Sequence, residues 1–189
     1  VSQILAHSSN IGAITLAEML GKTRLSNWIS KFGFGHTTGV DFPGESPGIV
    51  LPPDKWSGST IGNVPIGQGI AVTPVQMAAA YAAVANRGIW SRPHVIDHVA
   101  GGGRPSLHRH RVVSERVASQ VMAMLKGVVA EGTGQFAAIP GYQVAGKTGT
   151  AQKPDSHGGY ATGRYVASFV GVVPASRPRL VVLVAVDEP

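Results

Sequence analysis

Apolar residues recur near helical spacing from Asn10 to Leu20, where Ile11, Ile14, Leu16 and Leu20 predict one helix. A second helix is expected to run to about Phe32, capped by Thr23, with Leu25, Trp28, Ile29 and Phe32 as its buried stripe and Gly33 as its stop. From Gly33 to Gly69 the periodicity lapses. Gly35, Pro43-Gly44, Pro47-Gly48 and Pro52-Pro53 predict a long excursion with short strands at most, and Gly67-Gln68-Gly69 predicts a tight turn feeding the next helix. That helix opens at Thr73-Pro74-Val75-Gln76, where Thr can cap, Pro suits the first turn and Gln completes a capping box. It runs through Met77, Ala80, Tyr81 and Val84 as core positions and ends at Gly88. Trp90 to Val99 reads as extended, Gly101-Gly102-Gly103 as a hairpin tip, and Val112 and Val113 as the returning strand. Ser114 then caps a helix carrying Val117, Val121, Leu125 and Val128, with Gly132 after it.

Beyond Gly132 the period changes. Tyr142 to Ala151, Tyr165 to Val173 and Leu180 to Val186 are β-rich runs, the last two joined tightly through Pro174 to Pro178. Short links between successive strands predict an antiparallel meander. The run from Leu180 to Val186 is continuously apolar rather than alternating, which calls for cover on both faces. The expected fold class is α+β: a helical part followed by an antiparallel sheet, in one domain without a linker or internal repeat.

Composition narrows the function. With 43% apolar and 14% charged residues among 189, the chain is an ordinary globular sequence. Lysine and arginine exceed the acids, 16 against 10, but the charge is diffuse. Its densest run, Arg104 to Arg111, lacks interleaved aromatics, so nucleic acid is not an expected partner. The absence of cysteine excludes thiol catalysis, disulfides and cysteine zinc sites. The longest apolar run is too short to cross a bilayer. The opening Val1 to Ala6 already reads as folded sequence, so the N-terminus is expected to be a cut. His108 and His110 sit in a basic loop without a carboxylate partner and read as a solvated hairpin; no metal or cofactor is expected. His7 reads as a packing residue. Asp41, Glu45 and Asp54 could form a glycosidase pair only if something fixed their separation, and nothing in the sequence does.

Two short motifs carry candidate chemistry: Ser8-Ser9-Asn10 at the front of a helix and Lys147-Thr148-Gly149-Thr150 on a strand. Either alone is weak, since a Ser-x-Asn triplet is commonly just a helix cap. Their order and settings are more specific, because Ser-x-Asn on a helical segment followed by Lys-Thr-Gly on a strand is the pattern of penicillin-binding proteins and class A β-lactamases. Further stretches strengthen it: Gly67-Gln68-Gly69 with Thr73-Pro74-Val75-Gln76-Met77, Ala85-Asn86-Arg87-Gly88, Gly132-Thr133-Gly134, and Val144 to Gln152. With these, the chain resembles the transpeptidase domain of class B penicillin-binding proteins over essentially its whole length.

The resemblance implies an α/β sandwich of the penicillin-binding and serine β-lactamase type, truncated at both ends, with residues 1–189 as the C-terminal portion of that domain. It implies a peptidoglycan D,D-transpeptidase working through a serine acyl-enzyme and binding penicillin. Ser8, Asn10 and Lys147 would be catalytic: Ser8 relaying a proton, Asn10 bonding the substrate amide oxygen, Lys147 on the cleft floor. Thr148 and Thr150 would hold the substrate carboxylate, the Thr150 N–H would line an oxyanion hole, and Gly149 would admit close approach. Strand alternation alone does not bring Lys147 and Thr148 to one ligand. The implied partners are D-Ala-D-Ala stem peptides, β-lactams, and division or elongation membrane proteins. The implied location is the extracytoplasmic side of a bacterial plasma membrane. The family's Ser-x-x-Lys motif is missing, since no serine here has Lys three residues on. The chain alone is therefore expected to be inactive, and aggregation-prone through its last strand. Alternatives on the same fold are a D,D-carboxypeptidase or β-lactamase, a non-catalytic β-lactam sensor, or a divisome scaffold.

Overall fold

The computed structural model describes residues 1–102 and 108–189. Six helices and five strands follow in order: α1 (Ser2–Ala6), α2 (Asn10–Leu20), α3 (Lys22–Lys31), α4 (Thr60–Asn63), α5 (Pro74–Ala85), β1 (Ile89–Ser91), β2 (Arg109–Arg111), α6 (Glu115–Glu131), β3 (Ala145–Pro154), β4 (Tyr160–Val173) and β5 (Leu180–Asp187). The meander is present as expected, in the order β3-β4-β5 with both pairs antiparallel. Ala145 of β3, Val172 of β4 and Val181 of β5 lie opposite one another and pack with Met122 and Leu125 of α6. Burying each large aliphatic side chain there contributes about 1.5–3 kcal/mol. The odd-numbered residues of β3 therefore face the helices, and this orients Lys147.

Helix α5 forms as its sequence prescribes. The Thr73 hydroxyl accepts from the Gln76 N–H at 3.1 Å, and Gln76 Oε1 accepts from the Thr73 N–H at 2.9 Å. Such a cap is worth about 1 kcal/mol. Gln76 does more than cap. It is 1% exposed, and its Nε2 donates to the carbonyls of His36 at 2.7 Å and Pro47 at 2.8 Å, tying the long excursion to α5. The excursion also holds α4 and adjoining 3-10 turns, which the Gly and Pro pattern hid, and only an isolated bridge between Ile49 and Ala71.

Several other expectations need correction. Thr23 does not cap α3: Gly21, at φ +79°, precedes it, with no side-chain cap. The α3 stripe is only half-buried, Trp28 being 39% exposed. In α6 Leu125 and Val128 are buried and Val121 packs against the core, but Ala118, Met122 and Val129 complete the buried line, while Val117 is exposed. The smaller alanine lets α6 lie closer to its neighbours than valine would. The returning strand is β2, and Val112 lies just beyond it, its N–H bonded to the Gly88 carbonyl at 2.8 Å. Extended structure after Trp90 stops at Ser91. Gly103 of the expected hairpin tip and part of the basic run lie outside the described residues. His110 is not merely solvated, since its ring stacks on Trp90 with centroids 5.1 Å apart. His7 is exposed rather than packed.

Two acids of the excursion, Asp41 and Glu45, are structural. Asp41 accepts from the N–H groups of Val95 at 2.6 Å and Ile96 at 3.0 Å. Glu45 accepts from the Thr38 N–H and hydroxyl at 2.7 and 2.6 Å and from the Gly39 N–H at 2.9 Å. Desolvation pushes the Glu45 carboxyl upward, but these hydrogen bonds outweigh it and hold it below the ordinary value of 4.5.

Two outcomes follow from this arrangement. A carboxyl whose folded value is depressed contributes stability above its unfolded value and loses it as pH falls through the folded one. Glu45→Gln should therefore lower the melting temperature at pH 7 relative to wild type, with the gap closing below the ordinary value of 4.5; a gap independent of pH would contradict the linkage. On β5, Leu180, Val182, Val184 and Val186 are 61, 50, 53 and 46% exposed, and its outer edge is unpaired among the described residues. Such an edge pairs readily between chains. The 189-residue polypeptide should self-associate in size-exclusion chromatography and Val184→Lys should shift it toward monomer, whereas a monodisperse wild type would count against this.

Candidate active site

Ser8 owes its place to the end of α1. The Ser9 N–H bonds to the Ile4 carbonyl at 2.9 Å and the Ser8 N–H to the Leu5 carbonyl at 3.3 Å, with Ser8 at φ +53°. This is a Schellman ending, in which the left-handed position usually falls to glycine. A serine there carries strain on the order of 1 kcal/mol, and strain of this kind gathers at functional positions. Ser9, not Ser8, caps α2, its hydroxyl accepting from the Gly12 N–H at 3.2 Å.

Lys147 arrives from the sheet. Its Nζ donates to Ser8 Oγ at 2.8 Å, to the Thr148 carbonyl at 2.9 Å and to Thr148 Oγ1 at 3.3 Å. An ammonium has three N–H donors, and three uncharged oxygens receive them. No carboxylate pairs with Lys147 among the described residues. Desolvation accordingly pulls its amine below the ordinary lysine value of 10.5, so it yields a proton more readily. The conflict posed by alternation is resolved at the strand edge. β3 pairs only with β4 among the described residues, and the Lys147 chain folds over its open edge to reach the oxygens of Thr148.

The C-terminal end of α6 locks the two walls together. The Thr133 N–H donates to the Ala6 carbonyl at 3.0 Å, and the hydroxyls of Thr133 and Thr148 lie 2.9 Å apart. Gly132 makes the docking possible, because a Cβ there would stand 2.3 Å from the Ala6 carbonyl oxygen and 2.9 Å from that of Val128. Farther along, the Tyr160 hydroxyl accepts from the Gly69 N–H at 3.0 Å, joining the β3–β4 hairpin to the Gly67-Gln68-Gly69 turn.

Of the anticipated site residues, Ser8, Lys147 and Thr148 come together. Asn10 stands at the start of α2, exposed and with no side-chain hydrogen bond among the described residues. Gly149 lies opposite Ser168, whose hydroxyl donates to its carbonyl at 3.5 Å, and Thr150 is exposed opposite Ala167. Thr133 had no anticipated role. The only signal for it in the sequence was its place in the Gly132-Thr133-Gly134 stretch. Among the described residues no group of histidines and acids is suited to a metal, and no helix is long and apolar enough to cross a membrane.

Comparison with known proteins identifies the family. The model of the penicillin binding protein transpeptidase domain matches residues 1–189. PbpB of Mycobacterium tuberculosis is 42% identical over 199 residues, which include 98% of this chain and 29% of that protein. Stage V sporulation protein D of Bacillus subtilis is 40% identical, over 99% of this chain and 30% of that one. FtsI of Escherichia coli K12, a peptidoglycan D,D-transpeptidase, is 36% identical, over 98% of this chain and 31% of its own length. The chain thus spans less than a third of the length of these relatives. Penicillin binding protein 3 of M. tuberculosis, solved with ampicillin, superposes with a TM-score of 0.94 at 41% identity, covering 100% of this chain and 45% of that one. The same α+β arrangement, the matched family model and these relatives together show that the chain belongs to the penicillin-binding protein transpeptidase family, in its class B branch.

Proposed function

We propose that this chain is the C-terminal portion, residues 1–189, of the catalytic domain of a peptidoglycan D,D-transpeptidase that also binds β-lactams. The observation that carries the reading is the 2.8 Å bond between Lys147 Nζ and Ser8 Oγ, a proton path built from a desolvated amine and a hydroxyl. In this reading a serine outside these residues attacks the penultimate D-Ala carbonyl of a stem peptide. Its proton travels through Ser8 toward the leaving nitrogen, since a hydroxyl can accept and donate in turn. The C–N bond breaks, the terminal D-Ala departs with that proton, and an ester joins serine and peptide. An amine of a neighbouring peptide then attacks the ester, forming the cross-link and releasing the serine.

Lys147 supplies positive potential and accepts or returns a proton at Nζ, and Asn10 bonds the substrate amide oxygen. The Thr148 and Thr150 hydroxyls hold the terminal carboxylate, the Thr150 N–H supports the oxyanion, and Gly149 leaves room for the ligand backbone. The open edge of β3 can receive an extended peptide as an added strand. The reading places the domain on the extracytoplasmic side of a bacterial plasma membrane, anchored by a span outside these residues and working with division or elongation membrane proteins.

Two measurements test it. In the whole enzyme, Lys147→Ala should lower the rate of acylation by a labelled penicillin by about 10²–10⁴, the scale of losing a proton-transfer or electrostatic group. An unchanged rate would remove Lys147 from the chemistry. The 189-residue polypeptide, which contains no Ser-x-x-Lys, should show no covalent adduct in intact-mass analysis after exposure to penicillin. Acylation of any serine within it would mean that the nucleophile has been misplaced.

A further inference from the structure

Thr133 stands where the two walls of the cleft meet, and neither of its contacts is explained by packing alone. Its N–H holds the Ala6 carbonyl at 3.0 Å, two residues before Ser8. Its hydroxyl lies 2.9 Å from that of Thr148, which also receives Lys147 Nζ at 3.3 Å. A hydroxyl oxygen accepts two hydrogen bonds and donates one. If Thr133 donates to Thr148, both acceptor positions on Thr148 Oγ1 are filled, one by Lys147 and one by Thr133. The single proton of Thr148 is then left to point outward. A hydroxyl that accepts two donors is also a stronger donor itself, because hydrogen bonds in a chain polarise one another. The opposite orientation, with Thr148 donating to Thr133, would consume the proton that an anion needs.

We propose that Thr133 is a positioning residue for recognition of an anionic ligand terminus: its hydroxyl donates to Thr148 Oγ1 and so aims the Thr148 proton at the carboxylate. The inference rests on the acyl-enzyme reading above and adds to it a residue that acts through Thr148 without touching the substrate. Its backbone bond to Ala6 is independent of the side chain, so removing the hydroxyl keeps the end of α1 held and severs only the link to Thr148. A valine has the same branched shape as threonine and lacks only the hydroxyl. That separates orientation of a proton from maintenance of the fold.

The test uses the whole enzyme with its nucleophile and compares acylation by a penicillin and by the methyl ester of that penicillin, which lacks the anion. In wild type the free acid should react faster than the ester. Thr133→Val should shrink that preference by about tenfold, the scale of weakening one hydrogen bond to a charged group, with the ester rate little changed. Thr133→Ser, which keeps the hydroxyl, should restore the preference. Thr133→Ala should behave as the valine variant, which guards against a folding defect peculiar to one substitution. Melting temperatures of all three report whether the fold is kept. Equal slowing of acid and ester, or a serine variant no better than valine, would assign Thr133 a purely structural role and overturn the inference alone. A wild type that neither compound acylates would overturn the acyl-enzyme reading and the inference with it.

Discussion

A lysine amine held among uncharged oxygens, with no carboxylate among the described residues to neutralise it, sets the terms for the site. Such an amine is costly to bury unless every N–H has an acceptor. The three acceptors come from two separate parts of the chain: Ser8 from the end of α1, and both oxygens of Thr148 from β3. Neither part can place them alone. The sheet must present an open edge, the helix must end in a left-handed serine, and α6 must bring Gly132 and Thr133 against Ala6. The amine answers by titrating more easily than a solvent-exposed lysine. The same desolvation that costs stability thus supplies the reactivity a proton carrier needs.

Much of this framework could be read from residue order, and the reasons differ by element. The capping box at Thr73 and Gln76 and the cap at Ser114 were legible because they are local, with donor and acceptor a single turn apart. The meander was legible because β-rich runs with short links leave few alternatives. The cap at Thr23 failed because the chain turns at Gly21 instead, using a positive φ that no side-chain pattern advertises. Leu125 and Val128 of α6 were legible, but Ala118 was not, because alanine reads as neutral in a sequence and yet decides how closely helices approach. Val112 was misplaced because its hydrogen bond to Gly88 comes from a residue far away in the chain.

The site divides along the same line. Ser8 and Lys147 could be paired from their motifs, although 139 residues separate them, because the resemblance already joined them. How Lys147 and Thr148 both reach one place could not be read, since it depends on which strand lies at the edge. Thr133 stayed without a role because a hydroxyl-to-hydroxyl bond between the end of a helix and a strand leaves no periodic trace. Its neighbour Gly132 is intelligible only once the Ala6 carbonyl is seen to stand where a Cβ would go.

Gln76 bears on how such a chain can lengthen or shorten. One amide nitrogen grips the carbonyls of both His36 and Pro47, so the stretch between them is a closed loop with its two ends fixed to a common point. Extra residues inserted inside that loop can bulge outward without disturbing α5, since closing a longer loop costs little more. Residues lost from it would drag one carbonyl out of reach and strand a buried N–H. The two directions of length change are therefore unequal: the excursion can accumulate insertions between its clamps, while deletions there must be matched by a new acceptor for a nitrogen that has no access to water.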